Sequence, residues 1–254
     1  MNKQINIKES LDWYILAGVT ETCAEDVCLL NTENHFAQPK TVTKTATVST
    51  SPTSAVLKNA RDVCASATSL DELRNILMKF DGCNLKNTAA STVFGDGDSH
   101  AKVMLIGEAP GADEDRMGKP FVGRCGKLLD KMLAAIQLKR ESCYITNVLP
   151  WRPPGNRTPT DDEIAICLPF LKKQIDLIKP DFILLLGGIA LKAVMDNPDS
   201  ISRTRGKWLD YVTDNKNIPV LATYHPSYLL RSSAQKAKSW ADFLRLKRKM
   251  NEFK

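Results

Sequence analysis

A chain of 254 residues, 43% of them hydrophobic and 25% charged, has the composition of an ordinary globular protein and can bury one substantial core with a small appendage. The formal net charge of +6 suits an anionic partner but is small enough to belong to a solvated surface. Seven cysteines, odd in number and scattered over a chain that can do without disulfides, predict reduced thiols and a cytoplasmic setting.

The apolar segment nearest the amino terminus, residues 13–19, is too short to span a membrane and carries no A-x-A cleavage pattern after it, so a soluble, unexported protein is expected. Leu11, Tyr14, Ile15 and Val19 recur at helical spacing and predict a short amphipathic helix over residues 10–19, able to dock on the core or on a protein partner. Residues 31–54 turn to Thr, Ser, Pro and Lys with no aromatic after Phe36. Such a segment recovers too little ordering entropy by burial and is expected to be a flexible tether, its alternating Thr and Val offering an edge strand as the other reading. The expected organisation is therefore an amino-terminal helical segment (1–30), a linker (31–54) and a catalytic domain (55–254).

Within that domain a helix is expected over residues 55–67. A second begins at Ser69, which with Glu72 reads as a capping box, and Gly82 ends it. The apolar strand over residues 102–106 runs straight into GEAPGADEDRMGKPFVGRCG, residues 107–126, where Gly107, Pro110 and Gly111 break it into a tight turn. A helix over 126–138, a strand over 143–149, the loop PWRPPGNRTP, and a helix opened by a Thr160/Glu163 capping box and reaching residue 178 follow. Strands over 182–186 and 220–224 and a basic helix from about residue 233 complete the pattern.

Strands separated by helices imply parallel pairing through right-handed crossovers. The expected fold class is α/β, a three-layer α/β/α sandwich around a four-stranded parallel sheet. Its strand ends bring residues 107–115, 147–157 and 225–229 to one rim, where open α/β sheets bind ligands. The loop at residue 107 is neither a phosphate loop nor a dinucleotide-binding glycine motif, and G-x-S-x-G is absent, which argues against a serine hydrolase.

GEAPGADED with GKPFVGRCGKLLD, then ITNVLPWRPPGNRTP, LLLGG and YHPSYLLR, in that order over residues 80–250, resemble the motifs of the family 4 uracil-DNA glycosylases. The resemblance implies a uracil-DNA glycosylase-like fold and hydrolysis of the N-glycosidic bond of deoxyuridine in DNA. It implies that His225 donates a hydrogen bond to uracil O2 as charge develops on the leaving base, and that uracil stacks on Phe121. Asn147 offers one donor and one acceptor in a plane, matching N3–H and O4 of uracil and mismatching cytosine. Gly107 and Ala109 supply backbone amides to the base. Glu108 is placed near the attacking water, and Glu114 where it would crowd a C5 methyl. Each residue has a plainer reading: a packed histidine, a core aromatic, a strand-end amide, solvated loop acids.

Tyr228, Leu229, Leu230 and Arg231 resemble the family's wedge, an apolar push into the space a flipped base leaves, with Arg157, Ser227 and Arg231 toward phosphate. Leu229 and Leu230 would otherwise be ordinary helix core. Most family members hold a [4Fe-4S] cluster on four cysteines. Here the matching positions are Phe80, Cys83, Trp151 and Cys167, so two ligands are missing. No cofactor or metal is therefore expected. The other function class kept open is a noncatalytic DNA-damage binder that recruits a partner through its amino-terminal segment. The expected setting is a monomer in the cytoplasm, held at the nucleoid through uracil-containing DNA.

Overall fold

The structure is a computed structural model and describes residues 54–213 and 216–253. The expected amino-terminal helix and the linker as far as residue 53 lie outside the described residues; residue 54 already opens the first helix.

The elements in chain order are α1 (Ser54–Ala65), α2 (Leu70–Lys79), β1 (Asp96–Gly97), β2 (Val103–Gly107), α3 (Ala112–Met117), α4 (Arg124–Ala135), β3 (Cys143–Asn147), α5 (Asp161–Ile178), β4 (Phe182–Leu186), α6 (Gly188–Met195), α7 (Ile201–Thr204), β5 (Trp208–Val212), β6 (Asn217–Thr223), α8 (Pro226–Arg231) and α9 (Lys236–Glu252), with short 3₁₀ turns between some of them. Both predicted cap positions open their helices. Ser69 Oγ accepts from Glu72 N at 3.2 Å, although the Glu72 carboxylate turns to the Thr68 amide and hydroxyl. Thr160 and Glu163 satisfy each other's amides at 3.1 and 2.8 Å, a complete capping box.

The strands form one sheet in the order β1-β3-β2-β4-β6-β5. The central four are parallel and coincide with the four read from the sequence. Two antiparallel edges extend that sheet: β1, two residues long, beside β3, and β5 beside β6. Neither edge has an apolar run. β5, Trp208–Val212, is half-buried to exposed, which is why it carries no strong strand pattern.

Period-two alternation assigns the faces. Met104, Ile106, Tyr144, Ile183, Leu185, Val220 and Ala222 point to a core shared with α1, α2, α5 and α6. Val103, Leu105, Cys143, Ile145, Phe182, Leu184 and Leu221 point to the opposite core, with α4, α8 and α9. These are the three layers of an α/β/α sandwich. The chain leaves β2 for the α4 side and leaves β4 for α6 on the other, so a crevice opens between their carboxyl ends, the position where such sheets bind ligands.

A buried polar network secures one wall of this crevice. The Asp242 carboxylate, fully buried on α9, accepts from Thr223 Oγ1 at 2.7 Å and Arg205 Nε at 3.0 Å, and Arg205 Nη2 also contacts it. Burial pushes this carboxyl above its ordinary value, opposed by Thr223 and the arginines. The Arg205 guanidinium lies over the Tyr224 ring at 5.5 Å. Thr223 and Tyr224 directly precede His225. Asp242→Ala leaves Arg205 without its counter-charge and is expected to cost about 3–5 kcal/mol in urea unfolding at unchanged m-value. A loss below about 1 kcal/mol, the scale of an exposed pair, would show the network to be peripheral.

Candidate active site

Glycine at the end of β2 determines what its neighbours can do. Gly107 is the register partner of Asn147, and a Cβ built on it would come within 2.4 Å of Asn147 Oδ1 and 2.5 Å of Phe121 Cζ. Only a residue without a side chain lets the amide and the ring close over the strand end. The Phe121 and His225 rings then lie 5.6 Å apart between centroids, inclined by 36°. On the far wall Gly187, at φ +99, leaves room for His225, whose Cβ would be 3.1 Å from any Cβ there.

These residues line one cavity of about 630 Å³, with walls drawn from the segments after β2, β3, β4 and β6. Of the residues singled out in the sequence, Glu108, Ala109, Glu114, Phe121, Asn147, Arg157, His225, Ser227, Tyr228 and Arg231 border it. Gly107 lies beneath, against Asn147 and Phe121. Leu229 does not reach the outside: it is fully buried in the core on the α4 and α9 side, and anchors α8 while Tyr228 and Leu230, at 36% and 39% exposure, face outward.

Asn147 is buried, yet neither Oδ1 nor Nδ2 has a hydrogen-bond partner within the protein. Each unpaired buried polar atom costs about 1–3 kcal/mol, so an amide left open on a cavity wall is arranged for a ligand that supplies one acceptor and one donor.

His225 caps α8. The Ser227 backbone N–H donates to Nδ1 at 3.1 Å, and Ser227 Oγ lies 2.8 Å from the same atom. A nitrogen that accepts from an amide carries its lone pair, so the proton of the neutral ring sits on Nε2. Burial, helped by Arg231 and opposed by Glu114, pushes the imidazole down to about 4. The ring is thus a neutral donor at neutral pH.

The two acids differ in kind. The Glu114 carboxylate spends its oxygens on the loop, accepting from Gly111 N at 3.1 Å, Val122 N at 3.0 Å and Gly123 N at 2.9 Å. Glu108 is half-buried on the cavity wall, and burial raises its carboxyl above the ordinary range. Arg157 is held by Glu163 in a two-pronged pair at 2.9 and 2.6 Å.

Phe121 stands in the left-handed region at φ +52, a conformation that costs a bulky residue about 1–3 kcal/mol unless its surroundings hold it. Sequence reasoning missed the pocket-lining role of Gly187, Gly188 and Ile189, although the glycine doublet after β4 was visible. Cys125, Pro153, Asn156 and Thr158 also line the cavity; they lie in the quoted motifs but were not singled out as site residues.

Phe80, Cys83, Trp151 and Cys167 do converge, all buried in the core between the sheet and α5. The Phe80 ring lies so close over Gly82 that a Cβ there would come within 2.3 Å of its Cζ, and it packs on Phe170 at 5.0 Å. Trp151 Nε1 donates to Thr92 Oγ1 at 3.0 Å. The Cys83 and Cys167 thiols hydrogen-bond to each other; that bond, with burial, holds Cys167 well above the ordinary thiol value. Two thiols flanked by two aromatic rings do not fit a cluster that takes four thiolates. Among the described residues no group of three or more His, Cys, Asp or Glu side chains is placed to hold a metal ion.

The profile of the Uracil DNA glycosylase superfamily matches residues 94–245. The chain belongs to that superfamily. The Type-4 uracil-DNA glycosylase of Archaeoglobus fulgidus is 40% identical over 182 residues, 70% of this chain and 92% of the relative. That of Thermotoga maritima is 44% identical over 155 residues, 61% and 79% of the two chains. The Type-5 uracil-DNA glycosylase of Pyrobaculum aerophilum is more distant, 29% identical over 150 residues, 52% of this chain and 64% of the relative. Agreement with the type-4 relatives at 38–44% identity places the chain in the type-4 family. The matched region contains the whole cavity wall, from Glu108 to Arg231.

Because the unfolded chain takes up the His225 proton near 6.5 and the folded chain only at about 4, lowering the pH through that window favours unfolding. Nitrogen-15 NMR of histidine-labelled protein should show His225 neutral, with Nε2 protonated, at neutral pH. A doubly protonated ring there would refute the assignment.

Proposed function

We propose that this protein excises uracil from DNA, hydrolysing the N-glycosidic bond of deoxyuridine and leaving an abasic site. The observation that carries this reading is the open amide of Asn147, buried beside a ring and a neutral imidazole in one cavity of a uracil-DNA glycosylase fold.

A uracil extruded from the helix stacks on Phe121, and the Asn147 amide meets its N3–H and O4 with one acceptor and one donor. Cytosine presents the opposite pattern at those positions and, with the amide in this sense, would leave both sets of groups unpaired, which is the stronger form of discrimination. As the bond to C1′ lengthens, positive charge builds on the sugar and negative charge on the base. The Nε2–H of His225 donates to O2 as that charge develops. A ring that is already neutral makes this bond without first losing a proton. Water adds to C1′, its oxygen forming the new bond and a proton passing to the departing base; Glu108 is the half-buried carboxylate at hand to orient it. Glu114 fixes the loop carrying Phe121, and the wall it forms narrows the space beside C5.

Tyr228 and Leu230 are the exposed apolar residues that would fill the vacated stack, with Arg231 and Ser227 toward phosphate. The substrate is uracil-containing DNA, and a monomer suffices, since one chain supplies every wall of the cavity. Among the described residues no helix is long and apolar enough to cross a membrane; the setting we propose is the cytoplasm. The packing at Phe80 and Trp151 supports an enzyme that has dispensed with the iron-sulfur cluster.

A uracil-containing oligonucleotide, treated with alkali after incubation, should be cut at the uracil. His225→Ala should lower the single-turnover rate by about 100-fold or more, the scale of losing one donor to a developing anion. Asn147→Ala should relax selection of uracil over cytosine. Binding without any scission would favour the damage-binder reading instead. Protein purified without oxygen should contain no stoichiometric iron or acid-labile sulfide; finding them would defeat the proposed loss of the cluster.

A further inference from the structure

Arg140 lies outside the cavity, in the 3₁₀ turn before β3. Its guanidinium nonetheless reaches the backbone of the stacking residue: Nη1 donates to Phe121 O at 2.7 Å, and Nη2 donates to Pro120 O. The fork itself is held by Asp130 at 3.1 Å and Asp96 at 3.6 Å, and the side chain is only 17% exposed. A planar group with donors at fixed angles grips two successive carbonyls in one set geometry, which the rotating donors of an ammonium do not impose.

We propose that Arg140 is the positioning residue of Phe121, holding the ring at the angle where it stacks on the extruded base. This rests on the stacking role given to Phe121 above. The backbone of Phe121 is in a conformation that a bulky residue does not keep unaided. Three contacts hold it. Glu114 takes the amides of Val122 and Gly123 on its carboxyl side. Gly126 lets the Phe121 carbonyl lie directly against α4, where a Cβ would come within 1.8 Å of that oxygen. Arg140 takes the two carbonyls and ties them to Asp130, one turn further along α4. Without Arg140 the peptide planes on both sides of the ring lose their donors and Phe121 can relax toward an ordinary backbone. The ring would then leave its place beside Asn147 and His225. Arg140 does not line the cavity, so its effect on the site passes through the backbone it holds at Pro120 and Phe121.

A double-mutant comparison tests this. Under single-turnover conditions with saturating uracil-containing oligonucleotide, Arg140→Lys should slow excision on the order of 10- to 100-fold, the consequence of a misplaced contact, with DNA affinity unchanged. In a Phe121→Ala background the same substitution should cause no further loss. Losses that multiply, or full activity in Arg140→Lys, would overturn the proposal. Should the lysine variant fail to fold, millimolar methylguanidinium supplied to Arg140→Ala should restore excision when Phe121 is present and not when it is alanine; equal rescue in both backgrounds would overturn the proposal. Full activity in Phe121→Ala alone would instead overturn the stacking role on which it rests.

Discussion

The site depends on the missing side chain at Gly107. Three elements that are remote in sequence, the end of β2, the end of β3 and the turn before α4, meet at that position, and nothing larger than hydrogen can stand between the Asn147 amide and the Phe121 ring. The parallel register sets Gly107 opposite Asn147 and alternation turns both toward the α4 layer, so the contact follows from strand pairing and not from a flexible loop. Set at the end of a paired strand, the amide hangs on a backbone that needs no reordering to meet a ligand, which lowers the cost of recognition.

Much of the charge around this contact is spent on holding loops and on pairing, while the groups at the ends of β3 and β6 are neutral. Glu114 has its oxygens committed to three amides. Arg157 is paired with Glu163, and Arg205 with Asp242. At the ends of β3 and β6 an amide and an uncharged imidazole face the cavity, with Glu108 after β2 and Arg231 on α8 on the same lining. In a partly desolvated site a fixed dipole aimed at a developing anion needs no reorganisation as the reaction proceeds. A permanent cation at the same point would grip any anionic base equally and sharpen nothing.

The four parallel strands and most helices were legible because each is an apolar run or an amphipathic repeat bounded by glycine, proline or a capping pair, as at Thr160 and Glu163. The edge strands were not, since Asp96–Gly97 and Trp208–Val212 pair through the backbone and bury little. Motif order brought His225, Asn147 and Phe121 to the page, but no pattern separates Leu229 from its neighbours. In YLLR the first leucine is turned inward by the phase of a six-residue helix that sequence cannot orient. Arg140 was equally invisible. Its contacts lie 19 and 20 residues away and serve carbonyl oxygens, and a carbonyl leaves no mark on the sequence.

The imidazole of His225 is also the cap of the short helix that carries Tyr228 and Leu230. One ring therefore ties the outward face of this helix, proposed above to meet DNA, to the cavity wall proposed to meet the base. Leu229 pins this helix into the core, so the outward side chains of Tyr228 and Leu230 stand on a fixed backing.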